Sequence, residues 1–495
     1  MNRMLFQDLV KGQYGRKIAY TDVLEITEEN ILSVLGSCVG IFNSNKAAIK
    51  YLWDYKKGDQ PALYRRKIVR DDVINKVVEN HAWEIVRFKN GQTYGEPVQL
   101  VSLVKDDKVN KAVDKLNNYL RCAGKIKKDI NSGEWTSAVG TGFKAVQRTV
   151  RGSEIPFRII SPTPMDTFVI YSKSTEEAIL AVQELKDENG ERYYLCFSET
   201  HEFKVKNSNL MILEKKEDGT EIKSRLHAFG GIPIVEYPNN QDRLSDIELV
   251  ITMLDAINNM QSNRMDAIEQ FVQSWVKFVN CEVDKNSFLD MKMLGALVVK
   301  SNNGSENKAD VDIMTQELNQ TESQVAKNDL WENILSISAI PNKQSNTGGD
   351  TQGAVELRNG WDFSKQAAKL KDPYIIDSDK KLAMIALNVI RIEKGKDECP
   401  LGIMDFDVQI NHSPTDNMQV KAQVLQLLLS AGIHPLIAIK VCGLWGDSEK
   451  VYLLSKPYLD VLYKTIDEVV ENAAEQEKKA RELIEKMNKQ KNTEV

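Results

Sequence analysis

The stretch that decides the fold begins Ser245-Asp246-Ile247-Glu248-Leu249-Val250-Ile251-Thr252-Met253-Leu254-Asp255-Ala256-Ile257-Asn258-Asn259-Met260 and continues without glycine or proline to Asn280. Proline would remove a backbone donor and glycine would cost backbone entropy, so a run free of both reads as one helix. At 1.5 Å per residue it would reach about 54 Å. Apolar residues recur at Ile247, Val250, Leu254 and Ile257, then at Met265, Ile268, Val272, Trp275 and Val279, the spacing of a helical stripe. Asn258-Asn259 and Gln261-Ser262-Asn263 interrupt it. A stripe this long, broken by amides, suggests helix-on-helix packing between subunits.

Beyond it the pattern turns strand-like. Ala296-Leu297-Val298-Val299 and Val311-Asp312-Ile313-Met314 flank the polar loop Ser301-Asn302-Asn303-Gly304-Ser305-Glu306-Asn307. A second helical pattern fills 316–340, with apolar positions at Leu318, Val325, Leu330, Ile334 and Ile337. Pro341 stops it, because proline lacks the N–H and restricts its predecessor. Helix, small β tip, helix is the local design. Asn342-Lys343-Gln344-Ser345-Asn346-Thr347-Gly348-Gly349-Asp350 follows, a polar loop with a single cation and two glycines that permit positive φ.

Upstream, Ile31 to Val39 is an apolar stretch, and Val77, Val78, Ala82, Trp83, Ile85 and Val86 predict one buried helical face over Asn75–Phe88. Gly91 and Tyr94-Gly95-Glu96-Pro97 stop it. Helices are predicted within Asp114–Tyr119 and over Lys125–Val139, leading into Gly140-Thr141-Gly142. Residues 143–237 alternate apolar and polar and predict short antiparallel strands, with Asp187-Glu188-Asn189-Gly190 as a hairpin turn. Downstream, helices are predicted from Gln352 towards Lys371, from Tyr374 to Glu393 and over nearly all of 417–495, with a short strand at Phe406–Ile410. The fold class is α+β, predominantly helical.

Composition sets bounds on function. The 495 residues are 42% hydrophobic and 27% charged, enough core material for several folded units. Lys+Arg is 65 against Asp+Glu 71, a net charge of −6, which argues against a broad basic face gripping nucleic acid. Mean hydropathy is −0.38 and no apolar run approaches the ~20 residues of a membrane span. The first residues carry no signal-peptide pattern. Six cysteines stand singly and predict small buried apolar residues, with no metal-ligand spacing to the five histidines.

Candidate chemistry is sparse. Gly140-Thr141-Gly142-Phe143-Lys144 lacks the spacing and the Lys-Ser/Thr pair of a phosphate loop and reads as a turn. Asp310/Asp312 and Asp405/Asp407 stand two apart, so either pair could share one strand face and hold Mg²⁺ for phosphodiester chemistry, or could simply face solvent. His81, His201, His227, His412 and His434 are isolated, His81 reading as a hydrogen-bonded core residue. No catalytic, cofactor or metal site is read.

Four motifs in order resemble the portal protein of siphophage-type tailed bacteriophages, the head-to-tail connector. The first is Val78-Glu79-Asn80-His81-Ala82-Trp83-Glu84-Ile85-Val86 with Tyr94-Gly95-Glu96-Pro97-Val98. The second is His227-Ala228-Phe229-Gly230-Gly231-Ile232-Pro233-Ile234-Val235-Glu236-Tyr237-Pro238-Asn239-Asn240. The third runs from Asp246 through Asp255-Ala256-Ile257-Asn258 to Asp266-Ala267-Ile268-Glu269-Gln270-Phe271. The fourth joins Ile340-Pro341 to Gly353-Ala354-Val355-Glu356-Leu357-Arg358. The resemblance covers roughly residues 45–460.

It implies a ring, usually of twelve copies, at one capsid vertex of the virion, assembled in the host cytoplasm. Residues 1–240 would form the wing, 241–280 the first stem helix, 281–315 the clip and 316–340 the second stem helix. Residues 341–353 would be the tunnel loop, 354–412 a long wing helix and its return, and 413–495 a helical crown. Implied partners are double-stranded DNA in transit, large terminase, a head-completion adaptor, and major capsid and scaffold proteins, with no membrane and no cofactor. Lys343, Gln344, Ser345, Asn346, Thr347, Gly348 and Gly349 would face DNA, with Lys343 touching phosphate. Asn302, Asn303, Gly304, Asp310 and Asp312 would meet partners at the clip. A ring of such acidic chains suits DNA that slides, since a basic wall would hold phosphate. Two other readings compete: a metal-dependent phosphodiester enzyme using Asp405/Asp407, and a helical scaffold or adaptor without a channel.

Overall fold

The computed structural model describes residues 5–67, 72–104, 106–150, 152–215, 221–272, 275–279, 310–314, 320–342, 360–412, 418–445, 448 and 450–459. Two units divide the chain, Met1–His412 and Ser413–Val495.

The first unit opens with α1 (Phe6–Val10), β1 (Ala19–Thr21), α2 (Ile31–Lys56), α3 (His81–Tyr94), β2 (Gln99–Ser102), α4 (Asp107–Cys122) and α5 (Lys125–Val139). The strands β3 (Thr141–Arg148), β4 (Phe157–Ile160), β5 (Thr167–Ser172), β6 (Ala178–Lys186), β7 (Arg192–Phe197) and β8 (His201–Lys206) follow. Next come β9 (Asn209–Leu210), β10 (Glu214–Lys215), β11 (Glu221–Ile222), β12 (Ser224–Leu226) and β13 (Ile234–Pro238). The unit ends with α6 (Ile251–Val272), β14 (Trp275–Val279), β15 (Asp310–Met314), α7 (Gln320–Ile337), α8 (Trp361–Lys369), α9 (Asp372–Lys394) and β16 (Phe406–Gln409).

The predicted β-rich region is present. A seven-stranded sheet has the order β1-β5-β6-β7-β8-β12, with β9 on β8, and is antiparallel except for the parallel β1–β5 pair. The hairpin turn lies where predicted: Asp187 Oδ1 accepts the Asn189 and Glu191 N–H groups at 3.0 and 2.8 Å. Ile31, Val34, Leu35, Cys38 and Phe42 of α2 cover one face, Phe42 stacking on Phe168 at 4.5 Å between ring centroids. A second sheet, β13-β3-β4, packs against α5 and α9. β16 pairs antiparallel with β2, so the chain beyond α9 returns to the N-terminal half.

Four buried charges pin the second sheet to its helices. Lys144 Nζ of β3 lies 2.9 Å from Asp379 Oδ1 of α9 and also donates to Asp129 of α5. Lys125 Nζ lies 2.7 Å from Asp129 Oδ2 and 2.8 Å from Asp379 Oδ2. The Tyr237 hydroxyl donates to Asp379 Oδ1 at 2.7 Å. Two ammoniums and two carboxylates leave no net charge, the condition under which ions survive burial.

Three predictions are corrected. The helix expected over 245–280 begins as a 3₁₀ turn at Glu248–Val250, continues as α6 and ends at Val272. Trp275-Val276-Lys277-Phe278-Val279 is instead a strand, as its aromatic and β-branched content favours, paired antiparallel with Asp310–Met314. The other strand-like segment expected from sequence, Ala296–Val299, lies outside the described residues. The helix expected from Asn75 starts at His81, its Asn80 side chain accepting the Trp83 N–H, and 75–80 carries no regular secondary structure.

In the second unit, α10 (Met418–Ser430) and α11 (Pro435–Cys442) are separated by a turn with Gly432 at φ +77°, so the helical sequence predicted here is divided into separate helices. Its residues beyond 459 lie outside the described residues. Cys38, Cys196, Cys399 and Cys442 are buried as expected, Cys122 is exposed, and Cys281 is not among the described residues.

Candidate functional site

The helix pair α6 and α7, with the strand pair β14–β15 between them in the chain, combines a buried root with uncovered apolar positions. Both helices root in one cluster, where Ile251, Leu254 and Ile257 of α6 and Ile334 and Leu335 of α7 bury against Leu52, Ile85 and Val139. Farther along, the apolar residues are uncovered: Met265 is 41%, Ile268 36% and Val325 54% exposed. Arg264 Nη1 donates to Gln324 Oε1 at 2.8 Å and ties the helices together in that region.

The polar residues that interrupt the α6 stripe have a specific use. Three alternate backbone N–H groups of the segment 75–79 donate to three successive turns of the helix: Asn75 to Asp266 Oδ1 at 2.6 Å, Val77 to Ser262 Oγ at 3.0 Å and Glu79 to Asn258 Oδ1 at 2.8 Å. The match is metrical. Two strand residues advance ~6.6 Å, and four helix residues advance ~6.0 Å. Tyr55 extends the row by donating to Asp255 Oδ1 at 2.8 Å. Two of the polar residues that interrupt the stripe, the amide of Asn258 and the hydroxyl of Ser262, are therefore satisfied within the chain.

Charge fixes both ends of this segment. Asp266 takes Lys67 Nζ at 2.6 Å and Arg65 Nη2 at 3.2 Å. Burial works to raise its carboxyl, but Lys67 and the Asn75 groups hold it below the usual range. At the other end, Glu79 bonds His81 Nε2 at 3.0 Å and Lys327 Nζ of α7 at 2.6 Å. The His81 bond, followed by the Lys327 pair, brings the Glu79 pKa down to about 2 against the opposing effect of burial. The His81 ring also bonds Glu84 Oε2 and lies 4.0 Å, centroid to centroid, from Trp331 of α7. His81, read as a core residue, is a half-buried bridge between body and helix.

The root of α6 is held as closely. Asp246 accepts Lys371 Nζ at 2.6 Å and Ser137 Oγ at 2.6 Å. Ser245 Oγ donates to the Ala138 carbonyl at 2.8 Å. Gly140, at φ +91°, abuts this turn so closely that a Cβ would collide with the Arg243 carbonyl oxygen. Gly140 thus makes the turn between helix and strand that the sequence suggested, while Thr141 and Gly142 already belong to β3.

Of the residues proposed from sequence to contact DNA or partners, Lys343 to Gly349 and Asn302, Asn303 and Gly304 lie outside the described residues. Asp310 and Asp312 fall on β15, in register with Val279 and Lys277. The acidic pair considered for catalysis is separated in role. Asp405 accepts the Gly402 N–H in a turn, while Asp407 Oδ1 pairs with Lys380 Nζ at 2.9 Å. Among the described residues no group of three or more His, Cys, Asp or Glu side chains converges as a metal site. Sequence reasoning missed Arg65, Lys67, Glu79 and Lys327. The signal was present in Asp255, Asn258, Ser262, Asp266 and Glu269, a polar stripe at helical spacing beside the apolar one.

Comparison with known families matches residues 35–441 to "Phage portal protein, SPP1 Gp6-like". No curated protein sequence matches. Among solved structures, similar chains include one in the neck of an empty GTA particle computed with C6 symmetry, at TM-score 0.44 and 11% identity over 76% of this chain and 89% of that one. Others are in the neck of a native GTA particle computed with C12 symmetry (TM-score 0.42, 10%, 74% and 90%) and in the virion of a native gene transfer agent particle (0.40, 10%, 76% and 89%).

Proposed function

This chain belongs to the SPP1 Gp6-like family of phage portal proteins, and from that premise we propose how its parts divide the work of a connector at the capsid vertex. The carrying observation is the pair α6 and α7, rooted together in the body and leaving Met265, Ile268 and Val325 exposed. Uncovered apolar positions on paired helices ask for neighbours, and a ring of identical chains, twelve in number, supplies them. α6 and α7 are then the stem, the β14–β15 region the clip, 341–353 the tunnel loop, the remainder of 1–412 the wing, and 413–495 the crown.

Double-stranded DNA passes through the ring during packaging and ejection. The clip meets large terminase and later the head-completion adaptor, its strand edges offering backbone groups to partner chains. The wing meets capsid and scaffold. Lys343 in the loop 343–349 makes weak, reversible phosphate contact, which sliding requires. Among the described residues no helix is long and apolar enough to cross a membrane.

Electron microscopy or native mass measurement of the purified chain tests the reading. A ring with a central hole is expected. A monomer that cleaves DNA with Mg²⁺, and loses that activity on Asp407→Asn, would replace it with the enzyme reading. For the loop, Lys343→Ala should leave rings intact and alter packaged DNA length or retention; unchanged packaging would remove Lys343 from the mechanism.

A further inference from the structure

A cavity of about 40 Å³ lies where the N-terminal segment meets the sheets, with Arg16, Phe42, Thr167, Tyr171, Glu236 and Arg243 in its wall. Arg16 is buried, its side chain 3% exposed, and pairs through Nη2 with Glu248, which is not part of the wall. The other two guanidinium nitrogens, Nε and Nη1, are buried and find no hydrogen-bond partner among the described residues. Thr167, 1% exposed, has its Oγ1 in the same condition.

The wall's carboxylate cannot serve them. Glu236 already accepts Arg243 Nε at 3.1 Å and Nη2 at 3.2 Å, Thr141 Oγ1 at 2.8 Å, and the Tyr171 hydroxyl. Among the unpartnered buried side-chain atoms of the wall, donors are in surplus: three N–H hydrogens of Arg16 and the Thr167 hydroxyl, against that one hydroxyl oxygen as acceptor. Buried polar groups are almost always satisfied, and a cavity holds a water once it offers ~10–15 Å³. About three waters, or one halide ion, fit this volume.

We propose that this cavity is a binding site for a small hydrogen-bond acceptor, halide or water, held by Arg16 and Thr167. The site reaches the stem through one guanidinium. Glu248, on the far side of Arg16, also accepts the Gly15 N–H at 3.1 Å and the Ser245 N–H at 2.8 Å, and it lies in the 3₁₀ turn that leads into α6. An occupant that fixes Arg16 therefore also fixes the joint between the N-terminal segment and the first paired helix.

The test is a high-resolution structure of the full chain grown or soaked in sodium bromide, with anomalous data. An anomalous peak within hydrogen-bond distance of Arg16 and Thr167 identifies a halide; ordinary ordered density there identifies water. A cavity without density overturns the proposal. Thr167→Val gives a second reading in solution, because it removes the hydroxyl and keeps the shape. With a bound acceptor, the variant should melt a few degrees lower. Melting at or above the unaltered chain would mean that the hydroxyl serves no ligand, and the proposal fails.

Discussion

The Val77 backbone N–H donates to Ser262 Oγ at 3.0 Å, and that bond sets the register of the segment 75–79 on a helix. A shift of two residues on one side would need four on the other, so Asn75, Val77 and Glu79 must all move together. Ser262 is fully buried, and its hydroxyl also donates to the Asn258 carbonyl at 2.8 Å.

Ser262→Ala leaves the Val77 N–H without an acceptor and should cost about 1–3 kcal/mol. Denaturant unfolding measures the loss, and hydrogen exchange should quicken at the amides of residues 75, 77 and 79. Unchanged stability with unchanged exchange would show that the segment is held by its ends alone, through Asp266 and Glu79.

Asp379 predicts a larger effect. Burial alone would raise its carboxyl pKa, but the Lys125 and Lys144 ammoniums hold it below the usual range. Asp379→Ala strands two buried cations on one remaining carboxylate, Asp129, and should cost roughly 3–5 kcal/mol. Adding Lys125→Met removes the excess charge and should restore part of that loss, a coupling that a double-mutant cycle reads directly. Simple additivity would mean that the four groups act as independent pairs.

Much of this was legible in the chain. α5 occupies the span that Lys125, Val139 and Gly140 mark, because a helix ended by glycine carries its own local signal. The hairpin at Asp187–Gly190 is equally local. The strand at Trp275–Val279 was missed because its apolar residues also fit helical spacing, and its pairing with Asp310–Met314 joins segments more than thirty residues apart. The start of α3 was misplaced for a related reason. Val77 and Val78 continue an apolar pattern, but a hydrogen-bonding row on α6, nearly two hundred residues away, draws Asn75 to Glu79 out of the helix. The site's order of helices and strands was readable from the sequence, whereas its anchors depended on distant partners.

His412 gives a pH prediction with a definite sign. Its ring bonds the Gln92 carbonyl through Nδ1 at 3.0 Å and Asp372 Oδ1 through Nε2 at 2.8 Å. Burial works to lower its pKa, but the bonds to Asp372 and Gln92 outweigh it, so the folded value lies above the ordinary 6.5. A group raised on folding contributes stability that is complete below its unfolded pKa and fades as pH rises through its folded pKa. Melting temperatures should therefore include a decline starting near pH 6.5 that His412→Gln removes. An identical profile in the variant would assign the decline to other groups.

The last prediction separates backbone strain from lack of space, using the two glycines that bound α5. Gly124 and Gly140 have nearly the same positive φ, +86° and +91°. A Cβ on Gly124 would meet nothing within 4 Å, so Gly124→Ala carries only the left-handed backbone cost of about 1–2 kcal/mol. At Gly140 the same methyl collides with the Arg243 carbonyl oxygen, on the turn that delivers Ser245 and Asp246 to the root of α6. Relief requires that turn to move, breaking its bonds to Ser137 and Ala138, and roughly 4 kcal/mol or more is expected. Gly140→Ala should accumulate as insoluble or partly unfolded chain under conditions where Gly124→Ala folds. If the two variants melt within a degree or two of one another, the turn is not clamped by Gly140, and the first paired helix owes its placement to the Asn75–Glu79 segment instead.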